Sequence, residues 1–435
     1  MSGLEERLLA SSHPRLAKTG QLVAALDLGA TGISCLITRV TDPSAGGFEL
    51  LGYGQQSSRG LKGGVVIDMD GLERSIRLAV EDAERMAGQQ VSSVRMAVSG
   101  PTMKSFAARA EIEMGGREIG QRDVVRILEK ALEAGEDDKR QILHAVPFSY
   151  SVDGSDGVRD PRGMFADKLG AHVNLISLPK PVMKNLLLCV SRAHLKIDSV
   201  SAGGFMGAEA VFADDERENG GICIDMGGGA TGISVYIGGT LAWFETLAVG
   251  GSHVTSDIAQ GIGTTLPAAE RIKTLHGTVT PLETGKSDMV ETPKIGDDGR
   301  LQSARMSKAE LSQYIIPRVE ETFELVSRSL SKSGLGGKLP RRAVLTGGAS
   351  ELPGVRELAS RVLAMPVRLG RPIAANQLGD ECAKPTFSTA AGLLTFDHAR
   401  GGDPKAARKM VRPAAERDAE QGMIGRAFDW LKENF

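Results

Sequence analysis

The sequence predicts an α/β protein in which one structural unit occurs twice. Residues 24–37 and residues 222–237 are two versions of one phrase, and Ala-Thr-Gly-Ile-Ser is identical in both. Each version has an apolar strand, a glycine-containing turn and a second apolar strand, which is the pattern of a β-hairpin. Glycine contributes 54 of 435 residues, about twice its average share, which indicates many tight turns. A helical pattern is also present, at residues 122–134.

Composition restricts the classes of function. The chain has 52 basic and 54 acidic residues and a net charge of −2, so no global positive field attracts nucleic acid. Aromatic residues make up only 4%, which argues against base-stacking platforms. We find no apolar run of about 18 residues, and the charged start does not resemble a secretory signal. We therefore expect two or three domains, no membrane-spanning helix and no nucleic-acid partner.

The turns of the two hairpins predict a phosphate site. Glycine has no side chain, so its amide can approach phosphate oxygens closely, and threonine hydroxyls add further donors. The predicted contacts are Gly29, Ala30, Thr31 and Gly32 in the first hairpin, and Gly227, Gly228, Gly229 and Thr231 in the second. The strand after each turn excludes the Rossmann and P-loop patterns, in which the glycine loop begins a helix.

Two aspartates lie just before these turns. A carboxylate beside phosphate is repelled unless a cation lies between them, so Asp27 and Asp225 predict Mg²⁺ held largely through water. Two ordinary glycine hairpins, each with an aspartate that starts the turn, are the alternative. The duplicated frame of the two hairpins favours the nucleotide interpretation.

A third phrase, residues 343–355, predicts the position of the nucleoside. It has an apolar strand, the turn Gly347-Gly348, then Glu351 and a helix start. A Gly-Gly turn lets the backbone lie flat against adenine or ribose, and a helix N-terminus favours negative charge. Glu270 and Lys273 are three residues apart on one helix face, where they are placed to hold ribose and base. An exposed ion pair is the alternative for these two residues.

With these motifs the chain resembles the actin/Hsp70/sugar-kinase superfamily, whose members have two phosphate hairpins, an adenosine Gly-Gly turn and two connecting helices. Within it, the chain looks like the FtsA family of bacterial division proteins. The phrases that carry the FtsA resemblance are residues 58–65, 254–259, 272–277 and 344–348. Residues 186–211 look like the first connecting helix with its trailing segment, and residues 385–396 look like the second. The resemblance implies duplicated actin-like (ribonuclease H-like) lobes around a nucleotide cleft, with an inserted 1C-type subdomain and a C-terminal amphipathic helix.

The resemblance also implies how the chain is divided. The expected parts are a mobile N-terminal tail (1–20), lobe 1A (21–93, 179–212 and 376–398), subdomain 1C (94–178), lobe 2A (213–255 and 321–375), subdomain 2B (256–320), a linker (399–421) and an amphipathic helix (422–435). Composition supports the linker, because residues 399–421 are rich in Ala, Arg, Lys, Asp and Glu and large apolar residues are nearly absent.

The last 14 residues separate on a helical wheel into an apolar and a charged face. The predicted membrane contacts on the apolar face are Met423, Ile424, Phe428, Trp430, Leu431 and Phe435. Aromatic residues in a terminal helix favour insertion into a membrane surface, and FtsA-like proteins end in this way. Docking onto the protein itself or into a partner groove is the alternative.

FtsA-like proteins bind ATP between two actin-like lobes, polymerise, tether the tubulin-like protein FtsZ to the inner membrane and recruit later division proteins. The resemblance therefore implies ATP and Mg²⁺ as cofactors, and FtsZ, further copies of the chain, later division proteins and membrane lipid as partners. It implies a location at the cytoplasmic face of the inner membrane, at the division site. Arg305 and Arg318 lie near the positions that hold the FtsZ tail, and solvated basic side chains are the alternative for both.

Catalysis is expected to be weak. Hsp70-like and MreB-like relatives have a glutamate that positions water, and by spacing Ala202 stands near that place here. A methyl group cannot orient water, so we expect at most a slow ATPase in which ATP acts mainly as a conformational ligand. Asp27 and Asp225 remain weak candidates for positioning water.

Three other classes share this fold. A sugar or acetate kinase needs a base aimed at an alcohol, and no phrase suggests one. An Hsp70-type chaperone needs a β-rich peptide-binding domain, but only about 40 residues follow Leu394. A PilM-like pilus or secretion assembly scaffold stays open, although residues 58–65 and 254–259 favour the FtsA family.

Overall fold

Two five-stranded sheets with the same strand order form the main part of the computed structural model. The structure describes residues 18–43, 46–280, 288–296 and 299–396. Residues 1–17 of the expected tail, the linker 399–421 and the helix 422–435 with its predicted membrane contacts lie outside the described residues.

The elements follow one another in this order. The strands are β1 (Leu22–Leu28), β2 (Gly32–Asp42), β3 (Gly47–Ser57), β4 (Leu61–Lys62), β5 (Val65–Val66), β6 (Ser93–Val98), β7 (Lys104–Glu118), β8 (Arg140–Val152), β9 (Ser155–Val158), β10 (Phe165–Pro179), β11 (Lys196–Ala202), β12 (Gly221–Met226), β13 (Thr231–Ile237), β14 (Thr240–Leu247), β15 (Met289–Glu291), β16 (Lys294–Ile295), β17 (Leu301–Gln302), β18 (Arg305–Ser307), β19 (Ala343–Thr346) and β20 (Val367–Leu369). The helices are α1 (Met69–Ala87), α2 (Gln121–Ala134), α3 (Lys180–Arg192), α4 (Gly203–Val211), α5 (Asp214–Glu218), α6 (Gly251–Ile262), α7 (Leu266–His276), α8 (Lys308–Lys332), α9 (Val355–Leu363), α10 (Ala375–Cys382) and α11 (Ser388–Thr395). Short 3₁₀ helices lie at Gly336–Lys338, Gly348–Glu351 and Pro385–Phe387.

The first sheet has the strand order β11-β6-β1-β2-β3. Its strands β1, β2 and β3 form an antiparallel meander, and β6 and β11 continue the sheet parallel to β1. Helix α1 packs against β2 and β3, while α11 packs against β1, β2 and β6. Strands covered on both faces need apolar residues at successive positions, and Ala25 and Leu26 of β1 are both fully buried.

The second sheet repeats this arrangement, with the strand order β14-β13-β12-β19-β20. Again three antiparallel strands are followed by two strands parallel to the first of them. Asp27 pairs with Ser34 in the first hairpin, and Asp225 pairs with Gly232 in the second. The duplicated α/β fold predicted from the repeated phrase is confirmed.

Local sequence determines where helix α1, which packs against the first sheet, begins and ends. The Asp68 side chain caps it by accepting from the Asp70 and Gly71 amides, each at 3.1 Å. Gly88 ends it with φ +64°, a left-handed conformation that glycine adopts without strain. Between these caps the residues that face the sheet recur at helical spacing. They are Leu72, Ser75, Ile76, Ala79, Val80 and Ala83.

Two stretches of the sequence were matched to the connecting helices, and they differ in structure. Residues 385–396 contain α11, as the sequence suggested, and α11 packs against α4. Residues 186–211, matched to the first connecting helix with its trailing segment, contain the end of α3, all of β11 and then the short α4. Ile197 and Ser199 enter the parallel sheet beside β6, and pairing with β6 requires extended backbone.

Residues 107–136 and 144–175 form a second compact unit. Its four-stranded sheet has the order β7-β10-β8-β9, and α2 belongs to the same unit. The boundary expected from the sequence for subdomain 1C, residue 94, assigned β6 to the insertion. That assignment is wrong for β6, because its parallel pairing with β1 and β11 makes it a central strand of the first sheet.

Expected subdomain 2B contains α7 and four short strands, which pair as β15 with β18 and β16 with β17. Among the described residues, no helix combines the length and the apolar character that crossing a bilayer requires.

Candidate functional site

The turns of the two hairpins touch each other. A side chain at Gly228 would begin 2.3 Å from the Thr31 side-chain atoms, and one at Gly229 would begin 2.8 Å from the Ala30 Cβ. No larger residue fits at either glycine without displacing the opposite turn. The structure therefore brings together two sets of predicted phosphate contacts that lie far apart in sequence.

The second turn also carries the N-terminus of helix α6. The Gly251 and Ser252 amides donate to the carbonyl oxygens of Gly227 and Gly228 at 3.0 and 2.8 Å. The Gly228 and Gly229 amides have no acceptor among the residues that the structure describes. The turn therefore has amide donors left for an anion, beside the positive end of a helix.

Sequence reasoning did not select Gly250 and Gly251 as site residues. The signal was present, because a Gly-Gly pair follows an apolar strand there, as it does at Gly347 and Gly348. The Gly250 amide donates to Nδ1 of His253 at 3.2 Å, which closes the first turn of α6.

Asp27 and Asp225 lie at the base of the two turns. Asp225 is 9% exposed. Burial raises its pKa to about 6, and a hydrogen bond from Thr389 lowers the pKa and so offsets part of this effect. Burial, and then the charge of Asp225, raise the pKa of Asp27 to about 8. The two carboxylates therefore repel each other when both are ionised, and a divalent cation would relieve this repulsion.

Glu270 and Lys273 also lie beside this site. The Lys273 Nζ donates to Glu270 Oε2 at 2.8 Å, to Thr255 Oγ1 at 2.9 Å and to the Gly251 carbonyl at 3.1 Å. The Lys273 side chain is 15% exposed and that of Glu270 is 46% exposed. The pair is thus anchored to the first turn of α6, which a simple exposed ion pair would not be.

The Gly-Gly turn after β19 contacts the same region. Gly347 has φ +82°, and a side chain there would begin 2.3 Å from Asp225 Oδ1, so glycine makes room for the carboxylate. A side chain at Gly251 would begin 3.2 Å from the Ala349 Cβ. The turn continues as the 3₁₀ helix Gly348–Glu351, and the α-helix begins at Val355, the last residue of the predicted phrase.

Two predicted contacts have other partners in the structure. Thr231 is fully buried, and its hydroxyl donates to the Val249 carbonyl at 2.7 Å. This hydroxyl therefore has an internal role instead of the phosphate contact that the sequence suggested. The Glu351 carboxylate accepts from the Thr386 amide at 3.0 Å, and Glu351 lines a cavity of about 360 Å³ together with Gly348 and Tyr53.

The two arginines predicted to contact the FtsZ tail differ in environment. Arg305 on β18 is 68% exposed and lies 3.9 Å from Glu291. Arg318 on α8 is 30% exposed and donates to both carboxylate oxygens of Asp257, at 2.6 and 3.0 Å. Its guanidinium is held within this ion pair, while that of Arg305 is open to solvent.

The residues present fit a nucleotide with Mg²⁺. Phosphate needs amide donors and a cation, and the site has the Gly228 and Gly229 amides, the N-terminus of α6, the buried Asp225 carboxylate and the half-buried Asp27 carboxylate. Neither Asp27 nor Asp225 has an ion pair with a lysine or arginine that the structure describes, and burial raises the pKa of both carboxyl groups.

Solved structures share this arrangement of sheets and turns. A chain of the PilM–PilN type IV pilus biogenesis complex superposes with a TM-score of 0.60, covering 86% of this chain and 98% of that chain at 16% identity. MreB5 of Spiroplasma citri bound to ADP superposes with a TM-score of 0.52, covering 86% and 95% at 14% identity. These likenesses concern the fold, and with the duplicated sheets they place this protein in the actin-like class.

Sequence comparison identifies the family within that class. The family model "Cell division protein FtsA" matches residues 222–392, and "SHS2 domain inserted in FTSA" matches residues 100–177. Cell division protein FtsA of Agrobacterium fabrum (strain C58 / ATCC 33970) is 39% identical over 441 residues, covering 98% of this chain and 99% of the relative. The same protein of Escherichia coli (strain K12) is 31% identical over 424 residues, covering 95% and 98%. The chain belongs to the FtsA family and has a role in cell division.

Proposed function

We propose that this protein is an ATP-binding, actin-like division protein that polymerises on the cytoplasmic face of the inner membrane at the division site. It anchors the FtsZ ring to the membrane through its C-terminal amphipathic helix, and it recruits later division proteins. The observation that carries the nucleotide part is the direct contact between the two glycine turns, with the carboxylates of Asp27 and Asp225 at their base. Membership of the FtsA family supports the division part.

In this proposal, ATP is held by residues from both halves of the fold. The amides of the two turns bind phosphate oxygens, and Asp27 and Asp225 hold Mg²⁺ through water. Lys273, Glu270 and the turn at Gly347 contact the nucleoside. Bound MgATP supplies phosphates for the amide donors of both halves and a cation for their carboxylates. It therefore favours one conformation of the two halves.

Hydrolysis is slow in this proposal. Ala202 is the last residue of β11, is fully buried and directly precedes α4. An alanine side chain there gives no carboxylate or amide to orient an attacking water. The nucleotide therefore acts mainly as a ligand that sets conformation and assembly.

The FtsZ tail binds at the short strands β15–β18 in this proposal. Such tails mix acidic and apolar residues, and this region exposes both cationic and apolar side chains. Arg305 is open to solvent, and Met289 and Leu301 are 51% and 52% exposed. Arg318 contributes less, because its guanidinium is already paired with Asp257.

Membrane attachment depends on residues 422–435, for which the argument is the sequence pattern alone. One short amphipathic helix is a marginal anchor, comparable to a single acyl chain. Several copies linked in a polymer increase the avidity by about 10²- to 10⁴-fold. Polymerisation thus converts weak individual anchors into stable attachment.

Co-sedimentation with liposomes tests this function. We expect the full chain to pellet with liposomes, more strongly with MgATP, and a chain that ends at Gln421 to remain in the supernatant. Phe428→Ser, on the apolar face of the helix, should behave like the truncated chain. Asn434→Ser, a polar change in the same helix, should behave like the full chain.

The outcomes separate the parts of the proposal. Equal pelleting of the full and truncated chains contradicts the membrane anchor, because the terminal helix would then have another role. Pelleting that does not respond to MgATP contradicts the link between nucleotide and assembly. Binding of a synthetic FtsZ tail peptide that survives Arg305→Glu contradicts the proposed tail site.

A further inference from the structure

One segment of the first half lies against both glycine turns. We name residues 58–64 the strap. At its start, the Ser58 amide donates to the Thr31 carbonyl of the first turn at 3.0 Å. Near its end, the Cα of Gly63 lies 3.7 Å from the position that a side chain at Gly229 would occupy in the second turn. The strap therefore bridges the two turns that the proposed nucleotide would contact.

The end of the strap is a tight hairpin of defined shape. Leu61 pairs with Val66 and Lys62 with Val65, so Gly63 and Gly64 form a two-residue turn. Their φ values of +55° and +74° are those that this kind of turn requires. On the other side, a side chain at Gly64 would begin 2.3 Å from the Ser99 carbonyl oxygen. The hairpin tip is thus fixed between the second turn and the loop after β6.

The strap carries two exposed cations, Arg59 and Lys62. Neither side chain has an ion pair or a hydrogen bond with any residue that the structure describes. Leu61 is 6% exposed, and successive residues of a strand point to opposite faces, so Lys62 points away from the core. Its neighbour Gly63 is the residue in contact with the second turn, and consecutive Cα atoms lie about 3.8 Å apart.

We propose that Lys62 binds the terminal phosphate of a nucleoside triphosphate at this site and so distinguishes the triphosphate from the diphosphate. The inference rests on the proposed nucleotide function and adds a specificity residue to it. A lysine ammonium on a flexible stem is well suited to a phosphate oxygen, which it meets as a point charge. A diphosphate lacks the phosphate that Lys62 binds, so only the triphosphate links the strap to both turns.

Equilibrium titration with two nucleotides tests the assignment. Dissociation constants are measured for MgADP and for the Mg²⁺ complex of a non-hydrolysable ATP analogue, with the full-length protein and its variants. We expect Lys62→Gln to weaken binding of the triphosphate about tenfold, and to change MgADP binding less than about twofold. Lys62→Arg keeps the charge and should restore most of the triphosphate affinity.

A control removes the same charge elsewhere. Lys196 begins β11, at the end of the first sheet opposite the turns, so Lys196→Gln should leave both affinities unchanged. Equal weakening of both nucleotides by Lys62→Gln, or no weakening, overturns the inference. A selective loss of triphosphate binding in Arg59→Gln, without such a loss in Lys62→Gln, also overturns the inference. Failure of the unmodified protein to bind either nucleotide overturns the proposed nucleotide function and the inference with it.

Discussion

At the scale of single residues, the base of the two turns contains two groups of like charge, the carboxylates of Asp27 and Asp225. Asp225 is buried and Asp27 is half-buried, and the two carboxylates repel each other when both are ionised. Burial and this repulsion raise the pKa of Asp27 to about 8 and, mainly through burial, the pKa of Asp225 to about 6. The folded protein therefore binds protons that the unfolded chain releases, and its stability decreases as pH rises towards these values.

The variant Asp27→Asn should make the nucleotide-free protein more stable, because it removes this charge and keeps the shape of the side chain. A raised pKa in the folded state means that the cost of ionisation is complete only above about pH 8. We expect the melting temperature in EDTA to rise by about 2–4 °C at about pH 8.5, and by less at about pH 6. Equal gains at both pH values would contradict this explanation.

The same residues show what the sequence predicts and what it does not. Asp27 and Asp225 were found from their spacing to duplicated turns, which is a local signal. The buried partner of the Thr231 hydroxyl, the Val249 carbonyl, lies in a loop 18 positions away, and no local pattern indicates that contact. The contribution of Gly250 and Gly251 likewise depends on helix α6 meeting the second turn.

At the scale of elements, two short helices connect the halves of the fold. Helices α4 and α11 approach so closely that a side chain at Gly392 would begin 2.0 Å from the Met206 carbonyl oxygen. The Phe205 and Phe396 rings also meet edge to face, with centroids 5.3 Å apart. The Thr389 hydroxyl on α11 donates to Asp225 at 3.4 Å, so this helix pair directly contacts the candidate site.

Replacement of Gly392 by alanine should separate these helices. We expect Gly392→Ala to lower the free energy of unfolding by about 1–3 kcal/mol, because the backbone of α4 must move to admit the methyl group. Gly337→Ala is the matched control, since a side chain at Gly337 meets nothing within 4 Å. Urea unfolding midpoints measure the difference, and equal midpoints for the two variants would exclude a tight helix contact.

In helix α2 of the second unit, the residue that caps the N-terminus also forms an ion pair. The Asp123 side chain accepts from the Gly120 amide at 3.0 Å and pairs with Arg117. The hydrogen bond from Arg117 is the main reason that the pKa of Asp123 is lowered. A lowered pKa stabilises the fold above the ordinary value for aspartate, and this stabilisation is lost as pH falls through the folded-state pKa.

The variant Asp123→Asn should therefore destabilise the protein at about pH 7 and have little effect at about pH 2.5. The expected loss at neutral pH is about 1 kcal/mol, because Arg117 is half exposed and solvent screens the pair. Thermal unfolding followed by circular dichroism measures it. Glu133→Gln, an exposed acid on the same helix, should show no such pH-dependent difference.

At the scale of the whole molecule, the repeated phrase was enough to predict both halves of the main unit. The turn sequences specified the two hairpins, and the hairpins form the centre of each sheet. The position of β6 was not predictable in this way, because its alternating pattern suits either sheet and only its pairing with β1 decides between them.

Hydrogen exchange tests whether one ligand acts on both halves. With MgATP, we expect slower exchange of amides in residues 29–32 and in residues 227–230, because both turns would donate to phosphate. Residues 107–136 and 144–175, the second unit, should exchange as before. Protection confined to one turn would show that the nucleotide does not bind across the duplicated site.

The sheet of the second unit has a consequence for how the unit is inserted into the chain. Strand β7 leads into the unit and β10 leads out of it, and the two are hydrogen-bonded neighbours. The chain therefore leaves and returns at adjacent positions, between β6 and β11 of the first sheet. An insertion whose entry and exit strands are neighbours leaves the strand order of the first sheet unchanged.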